Sequence, residues 1–299
     1  MEEDYFTITL SSSDTSFEDN TLSLFRTCLP QQISLDGKWV VALSELHYTR
    51  SWFNMPRDEK IGLYNERGDT LTSPTPVKAG YYEREELVAA VTKSIDDLIQ
   101  MMKSQPAKYK LGDTQLDSSR RSDSDVITAP KIFLDSVSRR VELTPGEITA
   151  DSQAIYIDMS TEFGSMLGFG GQNTSYHRDE TNREVNEITF VPKQKAIKGD
   201  QSGIDCYDLN YGIHALYVYC NLVSPQILGN TFAPLLRVVP VDNIKFGGQC
   251  HQVYTKPYFY PLACNTFQVV EAEIRQKTGD PVDFKFGDTT VVLEFRRVK

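Results

Sequence analysis

The C-terminal segment constrains the fold more than any other part of the chain. In "VEAEIRQKTGDPVDFKFGDTTVVLEFRR" (270–297), Val270, Ala272 and Ile274 alternate with Glu271, Glu273 and Arg275. Lys277, Thr278, Gly279 and Asp280 then supply turn chemistry. Val282, Phe284 and Phe286 alternate with Asp283 and Lys285. Beyond Gly287 and Asp288, the residues Val291, Leu293 and Phe295 oppose Val292, Glu294 and Arg296. Successive side chains of a strand point to opposite faces, so this pattern predicts three strands, each with one buried face. The carboxylates and guanidinium groups, which suggest an enzyme at first sight, are the wet faces of those strands.

The same period recurs upstream. Phe6, Ile8 and Leu10 alternate with Thr7 and Thr9, and "SSSDTSFEDN" follows as a polar connection. Trp39, Val41 and Leu43 lie opposite Val40 and Ala42, so both faces are apolar and the strand is expected to be covered on both sides. "IGLYNERGDTL" reads as a short hairpin. Leu216, Val218, Cys220 and Leu222 share a face against Tyr217, Tyr219 and Asn221, and "APLLRVVPV" and "HQVYTKPYFYPLA" read as further strands. From about Pro76 to Asp200 the character changes. "REELVAAVTKSIDDLIQMM" sets Leu87, Val91, Ile95, Leu98 and Met102 at steps of three and four, one face of an amphipathic helix with acidic residues in its first turn.

"SQPAKYKLGDTQLDSSRRSDSD" is polar and turn-rich, an exposed loop. "KIFLDSVSRRVELTP" predicts a hairpin, "AIYIDM" a strand, "STEFGSMLGFGG" a helical turn ended by glycine, and "QNTSYHRDETNREVN" a solvated loop. Strands return near "EITFVP". About eight strands lie outside the mixed region, the number in a two-sheet jelly roll. The expected fold is therefore mainly β: a single jelly-roll β-sandwich with an inserted α+β region. Its expected boundaries are 1–78 for the first part of the jelly roll, 79–202 for the insertion and 203–299 for the second part.

Composition narrows the function. The 41 acidic and 31 basic residues give a formal net charge of -10, which disfavours broad binding to phosphate backbones. No apolar run reaches the length of a membrane span. The acidic start, Met1-Glu2-Glu3-Asp4, is not that of a signal peptide. The five cysteines, Cys28, Cys206, Cys220, Cys250 and Cys264, are scattered and form no CxxC, so buried reduced thiols and synthesis in a reducing compartment are expected.

No catalytic, metal or cofactor residues are assigned. A cupin-type metal centre needs closely spaced histidines, whereas His47, His177, His214 and His251 form neither HxH nor HExxH. His214 and His251 read as strand-end residues and His177 as part of the polar loop. A Ser-His-Asp triad is not excluded by spacing, but no GxSxG elbow is present, and "GSMLG" (164–168) has the context of packing. "GFGG" (168–171) lacks the dinucleotide-binding spacing, and the adjacent Asp96 and Asp97 diverge on a helix.

Two aromatic clusters stand out instead. In "KPYFYP" (256–261), Tyr258, Phe259 and Tyr260 cannot all point inward on a strand. At least one faces outward or into a second packed surface: burial under a loop or the insertion is one reading, a subunit interface the other. Trp52 and Phe53 in "SWFN" raise the same question. All five are interface candidates, because aromatics bring large buried area at low entropy cost.

The blocks "LYVYCNLVSPQILGNTFAPLLRVVPV" (216–241) and "HQVYTKPYFYPLACNTFQVVEAEIRQKTGDPVDFKFGDTTVVLEFRR" (251–297) resemble the C-terminal half of penton (minor capsid) proteins. Those proteins belong to Polinton/Maverick elements, adintoviruses and mavirus-like virophages. "FRTCLPQQISLDGKWVVALSELHYTRSW" (25–52) is similar to the family's opening strands, and "GYYEREELVAAV" and "STEFGSMLGF" to its middle part. The resemblance implies a non-enzymatic structural protein, a single jelly roll whose copies form homopentamers at the five-fold vertices of an icosahedral capsid. It implies a double-jelly-roll major capsid protein as neighbour and a place in the virion after synthesis in the host cytoplasm; for the insertion, contact with a host receptor and reinforcement of the ring are both open, and the sequence does not choose between them. The alternative is a carbohydrate-binding or host-attachment module on the same sandwich, marked by surface Trp and Tyr near carboxylates. A jelly-roll metalloenzyme is the third reading.

Overall fold

The computed structural model describes residues 5–64, 71–104, 127–135, 137, 140–144, 146–148, 153–168, 175–178, 184–189, 201–202, 213–241 and 244–298. The chain divides into two compact units, Met1–Phe53 with Gly212–Lys299, and Asn54–Tyr211.

Among the described residues, eight strands of five or more residues build the first unit: β1 (Tyr5–Ser11), β2 (Leu24–Ser34), β3 (Trp39–Thr49), β4 (Ala215–Cys220), β5 (Leu235–Pro240), β6 (Gln249–Val253), β7 (Thr266–Arg275) and β8 (Thr289–Arg297). One antiparallel sheet has the order β1-β8-β3-β6, with the short strand Tyr260–Pro261 also on β3, and the other runs β5-β4-β7-β2. The path changes sheet at every step except β4 to β5. First and last strands pair, with Ile8 opposite Leu293 and Leu10 opposite Val291. That wrapped path is the double Greek key of a jelly roll, as the sequence predicts.

The alternation explains the layering. Leu10, Leu43, Leu46, Tyr48, Val291, Leu293 and Phe295 fill the interior from one sheet. Phe25, Leu216, Val218, Cys220, Leu236, Val270, Ala272 and Ile274 fill it from the other. Phe267 of β7 meets Phe295 of β8 with ring centroids 5.8 Å apart, and Phe295 stacks on Phe6 at 4.7 Å. Each such aliphatic or aromatic side chain contributes about 1.5–3 kcal/mol when taken from water. The expectation for β3 holds at Val41, Ala42 and Leu43, which are all buried.

One register shift matters later. Leu43 pairs with Leu293, but Val292 pairs with Glu45, so Ser44 is an extra residue in β3. Its Oγ donates to the Val292 carbonyl at 3.0 Å. Before this bulge Val41 and Leu43 face the core; after it Leu46 and Tyr48 do. The inward phase slips by one residue, and Glu45 and His47 turn outward.

The middle run of the C-terminal trio is not a ladder strand. Pro281 forms a single bridge to Arg275, Val282 donates its N–H to the Ile274 carbonyl and plugs the core, and Phe286 is exposed. Pro281 has no N–H to give to a ladder.

In the second unit, α1 (Arg84–Ser104) buries Leu87, Val91, Ile95, Leu98 and Met102, the predicted stripe, together with Ile99. The Glu86 carboxylate reaches back to the Glu83 N–H at 2.8 Å, the reciprocal half of a capping box. The stripe shares a core with Ile61, Leu63, Ile132, Val141, Ile155 and Ile157. Lys131–Asp135 and Arg140–Thr144 form the expected hairpin. A second helix, α2 (Thr161–Met166), starts at Ser160, whose Oγ accepts the Phe163 N–H.

Three expectations need correction here. The first boundary falls at 53/54 rather than 78/79, because Glu59–Tyr64 ladders with Gln153–Ser160 and with Thr75–Val77. The second falls at 211/212 rather than 202/203. "QNTSYHRDETNREVN" contributes paired strands, Ser175–Arg178 and Glu184–Thr189, and the latter takes "EIT" into the second unit by pairing with Gln153–Ser160. Most of the polar stretch from Ser104 to Asp125 lies outside the described residues.

Two glycines separate backbone strain from crowding. At Gly287 (φ +96°) an added Cβ would lie 2.2 Å from Thr49 Oγ1 and 2.5 Å from Thr49 Cβ, whereas at Gly279 (φ +93°) nothing lies within 4 Å. Gly287→Ala is expected to cost at least about 2 kcal/mol and Gly279→Ala about 1 kcal/mol. Denaturant midpoints at unchanged slope measure both.

Candidate interaction surface

The five aromatic candidates do not share one environment. Trp52 is 2% exposed, stacks on Tyr48 at 6.1 Å and meets the edge of Phe284 at 5.6 Å. It has no face left to offer another chain, so its candidacy is withdrawn: it is a core residue. Tyr260 pairs with Val41 of β3 and packs against the same core. The other three reach the surface. Phe53 is half-buried, 6.1 Å from Phe246, with Lys285 Nζ 4.9 Å over its ring. Phe246 in turn meets Phe286 edge-on at 5.5 Å. Phe259 lies under the Arg296 guanidinium at 4.5 Å. Tyr258 is 62% exposed, and Arg237 of β5 sits between it, at 4.5 Å, and Tyr254, at 3.5 Å. The "KPYFYP" triplet thus splits one inward and two outward, with the neighbours Tyr258 and Phe259 both outside the core, so the alternation of a regular strand does not hold before Tyr260.

The most exposed apolar pair in the unit was not singled out by sequence. Between β4 and β5 the chain makes a small hairpin, Gln226–Leu228 against Thr231–Ala233, around Gly229-Asn230. Ile227 and Phe232 are direct cross-strand partners, 76% and 72% exposed. Strands this short have no core to face, and the Gln226 side chain spends its amide on the Leu235 carbonyl, tying the hairpin base to β5. The available signal is "ILGNTF": a glycine-asparagine turn flanked by apolar residues without room for a buried face.

Burial pushes the Cys220 thiol up to about 12, well away from the thiolate that reactivity requires. Cys250 is buried too, while Cys28 and Cys264 are exposed; Cys206 lies outside the described residues. His214 precedes β4 and is exposed. His177 belongs to the strand Ser175–Arg178 rather than to a loop. His251 is not at a strand end: it sits mid-β6, opposite His47 of β3. Hydrogen bonds from His47 and then His251 hold the Glu45 carboxyl below its ordinary value.

These features define a jelly-roll β-sandwich with exposed apolar loop residues. No protein-family model matches the chain, and no curated protein does. Among solved structures, it is similar to the crystal structure of the selenomethionine-labelled mavirus penton protein, with a TM-score of 0.49 and 10% identity. The alignment covers 98% of this chain and 100% of that one. No described helix is long and apolar enough to cross a membrane.

Burial separates the aromatics experimentally. Trp52→Ala is expected to cost about 3–5 kcal/mol of unfolding free energy, the range for a buried large aromatic. Tyr258→Ala should cost under about 1 kcal/mol. Equilibrium unfolding of both variants reads the contrast.

Proposed function

We propose that this protein is a penton: a minor capsid protein that forms homopentamers at the five-fold vertices of an icosahedral viral or virus-like transposon capsid. The observation that carries the reading is the Ile227–Phe232 pair, apolar, adjacent and open to water on a folded jelly roll. Water-exposed apolar pairs gain free energy when a neighbouring chain covers them. A contact between two different patches of identical subunits closes into a ring when the rotation per subunit divides the circle. The sequence blocks that resemble penton proteins of Polinton/Maverick elements, adintoviruses and virophages surround this hairpin, residues 216–241 and 251–297. On this reading the neighbours in the shell are double-jelly-roll major capsid proteins. On the same reading the second unit, Asn54–Tyr211, would meet a host receptor, and the destination is the virion.

A carbohydrate-binding face is less well supported. Its best flat platform, Tyr258, already has Arg237 over its ring. A sugar would have to compete with that cation for the ring or take the opposite face.

Copies that each carry a net charge of -10 repel one another, so added salt should favour the ring. Ile227→Ser with Phe232→Ser should leave the fold intact and weaken each subunit contact at least about a hundredfold. Light scattering of the purified chain, and electron microscopy of shells co-expressed with the major capsid protein, check both expectations. Wild-type chain should fill the vertices, and the double variant should leave them empty. A wild-type chain that stays monomeric at every concentration and is missing from those vertices overturns the proposal.

A further inference from the structure

On the outward face of the β1-β8-β3-β6 sheet, three side chains with metal-binding atoms converge. Glu45 and His47 lie two residues apart on β3, both turned to solvent by the Ser44 bulge, while Leu46 and Tyr48 fill the core. Across the antiparallel ladder, His251 of β6 is the direct partner of His47. The two imidazoles stack with centroids 3.8 Å apart at 24°. Both Nε2 atoms aim at one carboxylate oxygen: His47 Nε2 lies 3.0 Å and His251 Nε2 3.4 Å from Glu45 Oε2. The three potential ligand atoms fall within 4.8 Å of one another, and no second such group occurs among the described residues.

We propose that Glu45, His47 and His251 bind a divalent ion of the zinc class. Zinc bonds of about 2.0–2.2 Å at tetrahedral angles put neighbouring ligand atoms roughly 3.3–3.5 Å apart. The two Nε2–Oε2 separations, 3.0 and 3.4 Å, lie close to that spacing, and the stacked imidazoles have to tilt until both Nε2 lone pairs meet at one point, a side-chain rotation rather than a new backbone arrangement. Two imidazoles and one carboxylate suit zinc, nickel or cobalt; magnesium and calcium demand oxygen-rich shells. Each Nε2 that now donates toward the carboxylate offers its lone pair once its proton moves to Nδ1 or leaves to solvent. All three side chains are partly exposed, so the ion enters directly from solution and keeps water in its remaining positions.

The position gives the ion a mechanical role. In this sheet β6 is an edge strand, held to β3 by the ladder from Gln249 to Val253. An ion bridging His251 to Glu45 and His47 would pin that edge through side chains as well as backbone. The inference is independent of the penton reading, since a monomer carries the complete site.

The test uses the full chain, freed of any affinity tag, titrated calorimetrically with Zn2+. One ion per chain is expected, together with slowed amide exchange across Gln249–Val253. His47→Gln and His251→Gln should each weaken binding by more than about tenfold. Glu45→Gln should weaken it less, because the amide oxygen remains a poor ligand. Co2+ should compete with Zn2+, and Mg2+ should not. Circular dichroism confirms that the variants, all at solvent-facing positions, stay folded. Absence of binding up to millimolar Zn2+, or an isotherm that neither histidine variant changes, overturns the proposal.

Discussion

The jelly roll depends on two sheets filling one interlayer space from opposite sides. A strand offers side chains to that space at every second position, so the path of the whole chain is set by where the phase is kept and where it slips. β8 keeps it strictly, burying Val291, Leu293 and Phe295, and it is therefore laid between β1 and β3 without irregularity against β1. β3 slips once. With Ser44 laid into a regular ladder instead of bulged out of it, either Leu46 and Tyr48 or Val41 and Leu43 would face water. Removing either pair from the interior would take away several kcal/mol, a large share of the net stability of a domain this size. The bulge keeps both pairs inside.

The same slip decides what stands on the outer face. Glu45 and His47 are neighbours on that surface because Ser44 takes up the extra residue. His251 joins them because β6 pairs with β3 in the register that keeps Cys250 inside. Packing and surface chemistry are thus two results of one alignment. The phase change lies in the sequence as Val41 and Leu43 followed by Leu46 and Tyr48, but the apolar Val40 and Ala42 on the other face masked it and gave the reading of a strand covered on both sides. The partner was not visible there, since the 203 positions between His47 and His251 carry no pairing signal. A search confined to local patterns such as HxH looks along one strand, and here the second imidazole comes from the next strand over.

The parts of the fold legible in advance were those in which local period and burial agree. The helical stripe Leu87, Val91, Ile95, Leu98, Met102 was one, and the alternation in β4 and β7 another. Where a period continued without a ladder, as at Val282, Phe284 and Phe286, it overstated the strand content. Only Val282 reaches full burial there, and the chain follows the turn chemistry of Gly279-Asp280-Pro281 instead. The boundary at 53/54 was missed because "IGLY" carries a strand signal that fits either unit. Its partner, Gln153–Ser160, lies almost a hundred residues downstream. Composition cannot tell which sheet a short strand will join.

Aromatic content was an equally blunt guide to the surface. Trp52 and Ile227 are both large and apolar, yet one is sealed in the core and the other projects from a three-residue strand. What distinguishes them is distance from a long ladder: Trp52 follows β3 directly and turns back onto Tyr48, whereas Ile227 sits on a hairpin too short to own an interior. That hairpin connects two strands of the β5-β4-β7-β2 sheet, while the histidine pair belongs to the other sheet. The proposed ion on β3 and β6 and the proposed neighbour on residues 226–233 would therefore act through different layers of the sandwich. Changes made at one leave the packing of the other as it was, so a defect in ring closure and a defect in metal binding report on separate physical causes.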